Sequence, residues 1–403
     1  MNATITSPAH GFRGGRATGA GWPTVLIIAG AGTVSAFQVG KGPMALSAIQ
    51  SDLGLSLAVA SWLISAFAIV GAGCGASIGL AVDRVGAKRM VVGGLLLQAV
   101  GSGLGGMVGE AWPLILSRVV EGLGFVSVLV AAPTMIFAIV SSDLRDRAIA
   151  VWAAVMPVGM TLVMLSAPLL TYLEWHGFWM LNGAILLAYG LFFAVSVSAK
   201  RATGHDQNIK KQLALVIVAP GPWVLAALFA AFSAAFFAIF SFLPTFLAEQ
   251  FGLSQNLAST VAAVCIAASG MGNLVAGALL SAGRHPLQLL TAGFLAMIAF
   301  GFGVLTAGLA SLFVAGCAVL FSFMAGLIPV VLMGCLPTLA PRPDLVGATM
   351  GFAIQGNNVG MLTGPATAGG LAASFGWGSV AIAVAAVSIA AIALARTMLP
   401  AKM

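Results

Sequence analysis

The sequence predicts an all-α membrane protein in which twelve transmembrane helices form two pseudo-symmetric bundles of six. Three observations predict it. Of 403 residues, 60% are hydrophobic and only 7% charged, with a mean hydropathy of +1.09, more apolar surface than a water-soluble domain can bury in one core. Cutting at charges and turn residues leaves twelve apolar runs, and a spanning helix needs roughly 20 such residues. Pieces of the first six runs recur in the last six at a nearly constant offset.

Residues 1–21 read as an N-terminal tail, too polar to span and not followed by a cleavage site of the secretory kind. The runs fall at 23–48, 61–82, 90–108, 113–140, 148–171 and 179–198. They resume after a break at 223–247, 258–281, 288–308, 310–338, 347–373 and 377–397, with a tail at 398–403. The break, 199–222, carries Lys200, Arg201, Lys210 and Lys211 before Pro220-Gly221-Pro222. It is expected to be a linker with a short surface helix around Leu213–Val218. The domains are therefore 22–198 and 223–397.

Basic residues occupy the tails and alternate loops, while the other loops carry Asp52, Glu110, Glu174 and Glu249 and no base. Lys and Arg in short loops stay in the cytoplasm, so both termini are expected there and the membrane is expected to be a bacterial-type inner membrane. The net charge of +7 is thus topological, and no nucleic-acid partner is expected. The eight tryptophans lie at or near run ends, as interface-seeking rings do. The four cysteines lie singly in apolar runs and read as small buried hydrophobes, so neither metal nor disulfide is expected.

The internal repeat is legible residue by residue. Leu53-Gly54-Leu55-Ser56 after the first run returns as Phe251-Gly252-Leu253-Ser254 after the seventh, and Val158-Gly159-Met160 returns as Val359-Gly360-Met361. Between the second and third runs stands a knot of charge in which Gly79, Asp83, Arg84, Gly86, Lys88 and Arg89 fit the pattern G-x-x-x-D-R/K-x-G-x-R/K-R/K. That pattern, in that place, resembles the loop signature of the major facilitator superfamily, and the resemblance covers residues 22–397.

The resemblance implies a secondary transporter that works by alternating access between its two bundles, and a gating role for the knot. Asp83 would reach the start of the eleventh helix, where a carboxylate is favoured by the helix N-terminus. Arg118-Val119-Val120-Glu121-Gly122-Leu123-Gly124 resembles the family's fourth-helix signature. Together with Trp152 and Met156-Pro157-Val158-Gly159, it is similar to the cyanate-permease-like branch. The antiporter pattern G-x-x-x-G-P, which belongs in the fifth helix, occurs instead in the eleventh as Gly360 to Pro365.

Two bases fall well inside runs, Lys41 and Arg118. Each costs about 2.5–3.5 kcal/mol at a helix centre, so each needs a cavity or a partner. Arg118 and Glu121 share a helix face at i and i+3 and are expected to pair and couple transport to a proton. Lys41 shares a face with Gln38; the same offset in the seventh run gives Ile239, so this asymmetric cation is expected to bind an anionic substrate group. Gln355 and Asn358, on one face of the eleventh run, are expected to donate to the substrate. Phe236 and Phe240, in a stripe of helical spacing, would line the same cavity.

No hydrolytic, redox or nucleotide-binding constellation is present, so neither an enzyme nor a cofactor is expected. The expected function is proton-coupled movement of a small organic or inorganic anion, carboxylate-bearing, by a monomer. The alternative is proton-driven efflux of drugs or hydrophobic metabolites.

Overall fold

A computed structural model describes residues 21–140, 148, 151–198, 209–306, 308–342 and 345–398, and every element it assigns there is helical. Residues 1–20, 199–208 of the linker and 399–403 lie outside the described residues. The first half holds α1 (Trp22–Leu53), α2 (Leu57–Ser65), α3 (Ile69–Val85), α4 (Ala87–Gly105), α5 (Ala111–Ile139), α6 (Val155–Leu165) and α7 (Leu169–Ser196). A 3-10 turn at Ala66–Ala68 joins α2 to α3 within the second predicted run. The connecting helix α8 (Ile209–Val218) is about one turn longer than the sequence indicates.

In the second half, α9 (Pro220–Phe240) and α10 (Leu243–Phe251) make up the seventh run and α11 (Gln255–Ser281) the eighth. Then come α12 (Pro286–Leu305), α13 (Ser311–Gly334), the short α14 (Leu336–Leu339), α15 (Val346–Phe375) and α16 (Trp377–Met398). Nine described segments are long and apolar enough to cross a membrane unaided. The other predicted runs fall short for visible reasons: Lys88, Arg89 and Gln98 dilute α4, the α6 segment is short, and three amides and many glycines dilute α15. That polarity is tolerable in α15 because it is wedged between α9 and the α2–α3 pair, and buried polar groups need such partners.

In the first bundle α4 packs on α5 and α7, and α1 on α5, α6 and α7. In the second, α13 packs on α11 and α12, and α16 on α9 and α12. The halves meet along two seams, α2 and α3 on α15, and α6 on α11.

The repeat reappears as geometry. Gly54 (φ 61°) closes α1 and Gly252 (φ 64°) closes α10, each in the left-handed conformation that glycine adopts without Cβ strain. Two residues on, Ser56 and Ser254 cap α2 and α11 through their hydroxyls, each accepting a backbone N–H at 3.3 Å. A further pair was not read from sequence: Glu174 (φ 53°, ψ 179°) and Gly376 (φ 76°, ψ 171°) each break the chain one residue before a tryptophan. Helix six therefore starts at Trp175, four residues before its predicted start.

Glycine spacing sets the tightest helix contact. Gly356, Gly360 and Gly364 lie along one stripe of α15 and let it approach the backbone of Ala226, Ala230 and Ala234 in α9; a Cβ on Gly360 would sit 2.6 Å from that of Ser233. Pro365, within α15, follows this stripe. Two sequence expectations need correction here. Trp175 and Trp179 are not exposed rings but are buried in the first bundle, where Trp175 Nε1 donates to Asp52 at 2.9 Å. Cys74 is exposed, unlike Cys265, Cys317 and Cys335, because it lies on an outer face of α3.

Candidate functional site

The two bases read separately in the sequence meet on one carboxylate. Lys41 Nζ, from α1, donates to Glu121 Oε1 at 2.8 Å and to Ser102 Oγ of α4 at 2.7 Å, and lies 4.4 Å from the Trp179 ring centre of α7. Arg118 Nη1 pairs with the other oxygen, Glu121 Oε2. Arg118 Nε donates to the Leu63 carbonyl at 2.9 Å, Nη2 donates to the Gln38 carbonyl at 2.7 Å, and the guanidinium covers the Phe67 ring at 4.5 Å. All three charged side chains are at most 1% exposed. Five helices of the first bundle thus converge on three charges.

Burial at this depth is tolerable because the desolvation cost of each ion is offset by short charge-assisted bonds. The expected Arg118–Glu121 pair forms. The expected placement of Lys41 does not hold: its ammonium points into the first bundle and not toward the other half. An ammonium has three donors; two of the three are taken inside the first bundle by Glu121 and Ser102, and the Trp179 ring lies over the third side of the cation.

Gln38 is fully buried, with its carbonyl oxygen on Arg118 but neither side-chain nitrogen nor side-chain oxygen bonded within the protein. Gln355 and Asn358 lie at the seam between the halves. Gln355 Nε2 donates to the Ala72 carbonyl of α3 at 2.9 Å, and Asn358 Nδ2 donates to Ile354 of its own helix while its amide sits against Gly71. Phe236 stacks between Phe232 and Phe240 at 5.9 and 5.5 Å and faces Phe321 of α13 at 6.3 Å. Phe236 and Phe240 therefore fill the core of the second bundle, where the sequence reading had them lining a cavity.

In the charged knot, Gly86 (φ 92°) makes the sharp turn between α3 and α4, and Lys88 Nζ donates to the Ala194 carbonyl of α7 at 2.7 Å, capping that helix end. Arg89 is exposed. The backbone of Gly79, Asp83 and Arg84 runs in α3, but the side chains of Asp83 and Arg84 lie outside what is described.

Sequence reasoning missed three residues. Ser102 and Trp179 complete the shell of Lys41, and the only signal for Ser102 was a hydroxyl between Gly101 and Gly103. Gln255, at the start of α11, reaches across the halves to α1: its Nε2 donates to the Met44 carbonyl at 2.6 Å and its Oε1 accepts from Ser47 Oγ at 3.1 Å. The repeat offered a signal there, since Gln255 stands where the first half has Leu57.

With the geometry in view, comparison with known proteins decides the family. The Major Facilitator Superfamily model matches residues 25–354. The chain belongs to the Major Facilitator Superfamily. Among its relatives, the MFS-type transporter EfpA of Mycobacterium tuberculosis is 26% identical over 162 residues, 39% of this chain and 30% of that protein. The puromycin resistance protein of Streptomyces alboniger is 30% identical over 146 residues, 36% of this chain and 29% of that one. These matches span less than a third of either relative's length. The crystal structure of a mutant of the nucleoside transporter NupG superposes with a TM-score of 0.77 at 14% identity, covering 94% of this chain and all of that one. Membership places the protein among the multi-pass membrane proteins of a transporter family, not among enzymes.

Proposed function

We propose that this transporter exchanges protons for an organic solute with a large apolar body, in the exporting direction, from an inner membrane with both termini in the cytoplasm. The observation that carries the reading is the Lys41–Glu121–Arg118 cluster. It holds one acid between two cations, so a proton arriving on Glu121 leaves two positive charges facing each other. Such a pair repels by about 4 kcal/mol at 4 Å and an effective dielectric of 20. That is enough to drive α1 and α5 apart, and it gives the proton a lever on the first bundle.

In this reading Lys41 serves as a partner of Glu121 inside the first bundle and not as the ligand of a substrate anion. The matching stretch of a puromycin resistance protein favours an aromatic, largely apolar solute. The test is transport in proteoliposomes carrying an imposed pH gradient, with puromycin and a small carboxylate as the two solutes. Gradient-driven accumulation of puromycin, abolished in Glu121→Gln with counterflow retained, supports the reading. Accumulation of the carboxylate instead, lost in Lys41→Ile, overturns it in favour of anion transport.

A further inference from the structure

Away from the seams, the second bundle holds a half-open cavity of about 700 Å³ where α10, α12 and α16 meet the connection between α12 and α13. This is within the size range of small-molecule sites, roughly 300–1,000 Å³. Phe246, Leu305 and Ala381, each nearly fully buried, form its floor. The Phe246 ring meets Phe251 at 6.1 Å and Trp377 at 5.3 Å, both edge-on, which makes one wall a fixed aromatic corner.

The internal repeat explains why the space is there. Trp377 follows the left-handed break at Gly376 as Trp175 follows that at Glu174, which places Ala381 at the position of Trp179. In the first bundle Trp179 fills the corresponding site and covers Lys41; in the second, a methyl group stands in its place.

The rim decides what enters. Phe302 is 40% exposed and Ile382 64% exposed, on helices long and apolar enough to span the membrane. The mouth therefore lies on the outer apolar surface of the second bundle, where spanning helices meet lipid. No charged residue lines the cavity; Gln250 and Thr306 are its polar side chains, and both lie at helix ends next to the loop. An apolar cleft of this size on a membrane-spanning surface favours an apolar occupant over water.

We propose that a zwitterionic phospholipid seats one acyl chain in this cavity, between α12 and α16, with its head group at Gln250 and Thr306. The absence of any lining cation excludes preference for an anionic head group, and Glu249, one residue before Gln250, disfavours one further.

The full chain, purified in mild detergent, is tested by native mass spectrometry after incubation with phosphatidylethanolamine or phosphatidylglycerol. A spin-labelled phosphatidylethanolamine provides a second readout in reconstituted membranes. Wild type retains one phosphatidylethanolamine per chain, several-fold over phosphatidylglycerol, and shows an immobilised lipid component. Ala381→Trp, which copies the first bundle, and Leu305→Phe, which fills the floor by a smaller step, each lower retention at least tenfold with melting temperatures near that of wild type. Should one variant fail to fold, the other carries the test. Equal retention by a folded, filled variant, a preference for phosphatidylglycerol, or no retained lipid in wild type overturns the proposal.

Discussion

Lys41 in α1 and Ile239 in α9 occupy the same place in the two bundles. Around Lys41 stand Ser102, Glu121 and Trp179, from the third, fourth and sixth spans of its half. In the other half Ile239 faces Gly301, and a Cβ on that glycine would meet Ile239, Val384 and Phe321, from the corresponding spans. One fold thus accommodates an ion cluster in one half and hydrocarbon in the other. The charges in the first bundle are not required by its architecture, which is why they read as a functional addition.

It follows that the cluster can lose its lysine but not its acid. Lys41→Ile copies the second bundle and leaves Arg118 paired with Glu121, so it is expected to express and melt within a few degrees of wild type. Glu121→Gln leaves two buried cations without an acid, a loss of about 3–5 kcal/mol for a broken buried pair. Thermal unfolding monitored in detergent should rank wild type and Lys41→Ile together, well above Glu121→Gln. Comparable melting of the two variants would mean that the carboxylate is not the hub of the cluster.

The Gln255 bridge joins α11 to α1 by two hydrogen bonds that must break when the halves separate on this side. Each is worth about 0.5–1.5 kcal/mol net, so losing both in Gln255→Leu should shift the balance between the two access states by roughly five- to 150-fold toward separation. Spin-label distances between α1 and α11 should lengthen in the variant. An unchanged distance distribution would show that the bridge does not hold this face closed.

What the sequence disclosed and what it withheld divide along physical lines. Spans were legible because apolar length is local: the twelve runs fall on the helices, and the Gly54 and Gly252 turns follow from the repeat. The Arg118–Glu121 pair was legible because helical spacing puts i and i+3 on one face. The destination of Lys41 was not, since periodicity gives a face of α1 but not which neighbour covers it, and its partners lie 61 and 80 residues away. The Phe236 stack was misjudged for the same reason: an aromatic stripe looks alike whether it faces a cavity or another helix. Trp175 and Trp179 stood at a run end and still went inside, where Asp52 accepts from Trp175 Nε1 and the Trp179 ring face covers the Lys41 cation.

The α9–α15 contact is predicted to tolerate no added carbon at its centre. At Gly360 a Cβ would overlap the Ala230 carbonyl and lie 2.7 Å from the Ala234 nitrogen, all rigid helix backbone. Gly360→Ala should therefore cost about 1–3 kcal/mol by overpacking. Gly351, on the same helix, has no neighbouring atom within 4 Å of such a Cβ, and Gly351→Ala should be neutral or stabilising by up to about 1 kcal/mol through helix propensity. Melting temperatures of the two variants in the same detergent are the check; equal responses would mean that the glycine stripe does not set the interhelix distance.

Glu174 is the one non-glycine residue with positive φ among the described residues, and its pairing of φ 53° with ψ 179° falls in a region that is essentially glycine's alone. The second half puts Gly376 at this break, with nearly the same angles. Holding a side chain there costs about 1–3 kcal/mol, against a loss of less than about 1 kcal/mol from the greater unfolded-state freedom of glycine. Glu174→Gly is accordingly expected to raise the melting temperature, while Glu174→Ala, which removes the carboxylate but keeps the Cβ, should not. If both variants stabilise equally, the carboxylate and not the backbone was the source of the strain; if neither does, the break before Trp175 is not held in this conformation.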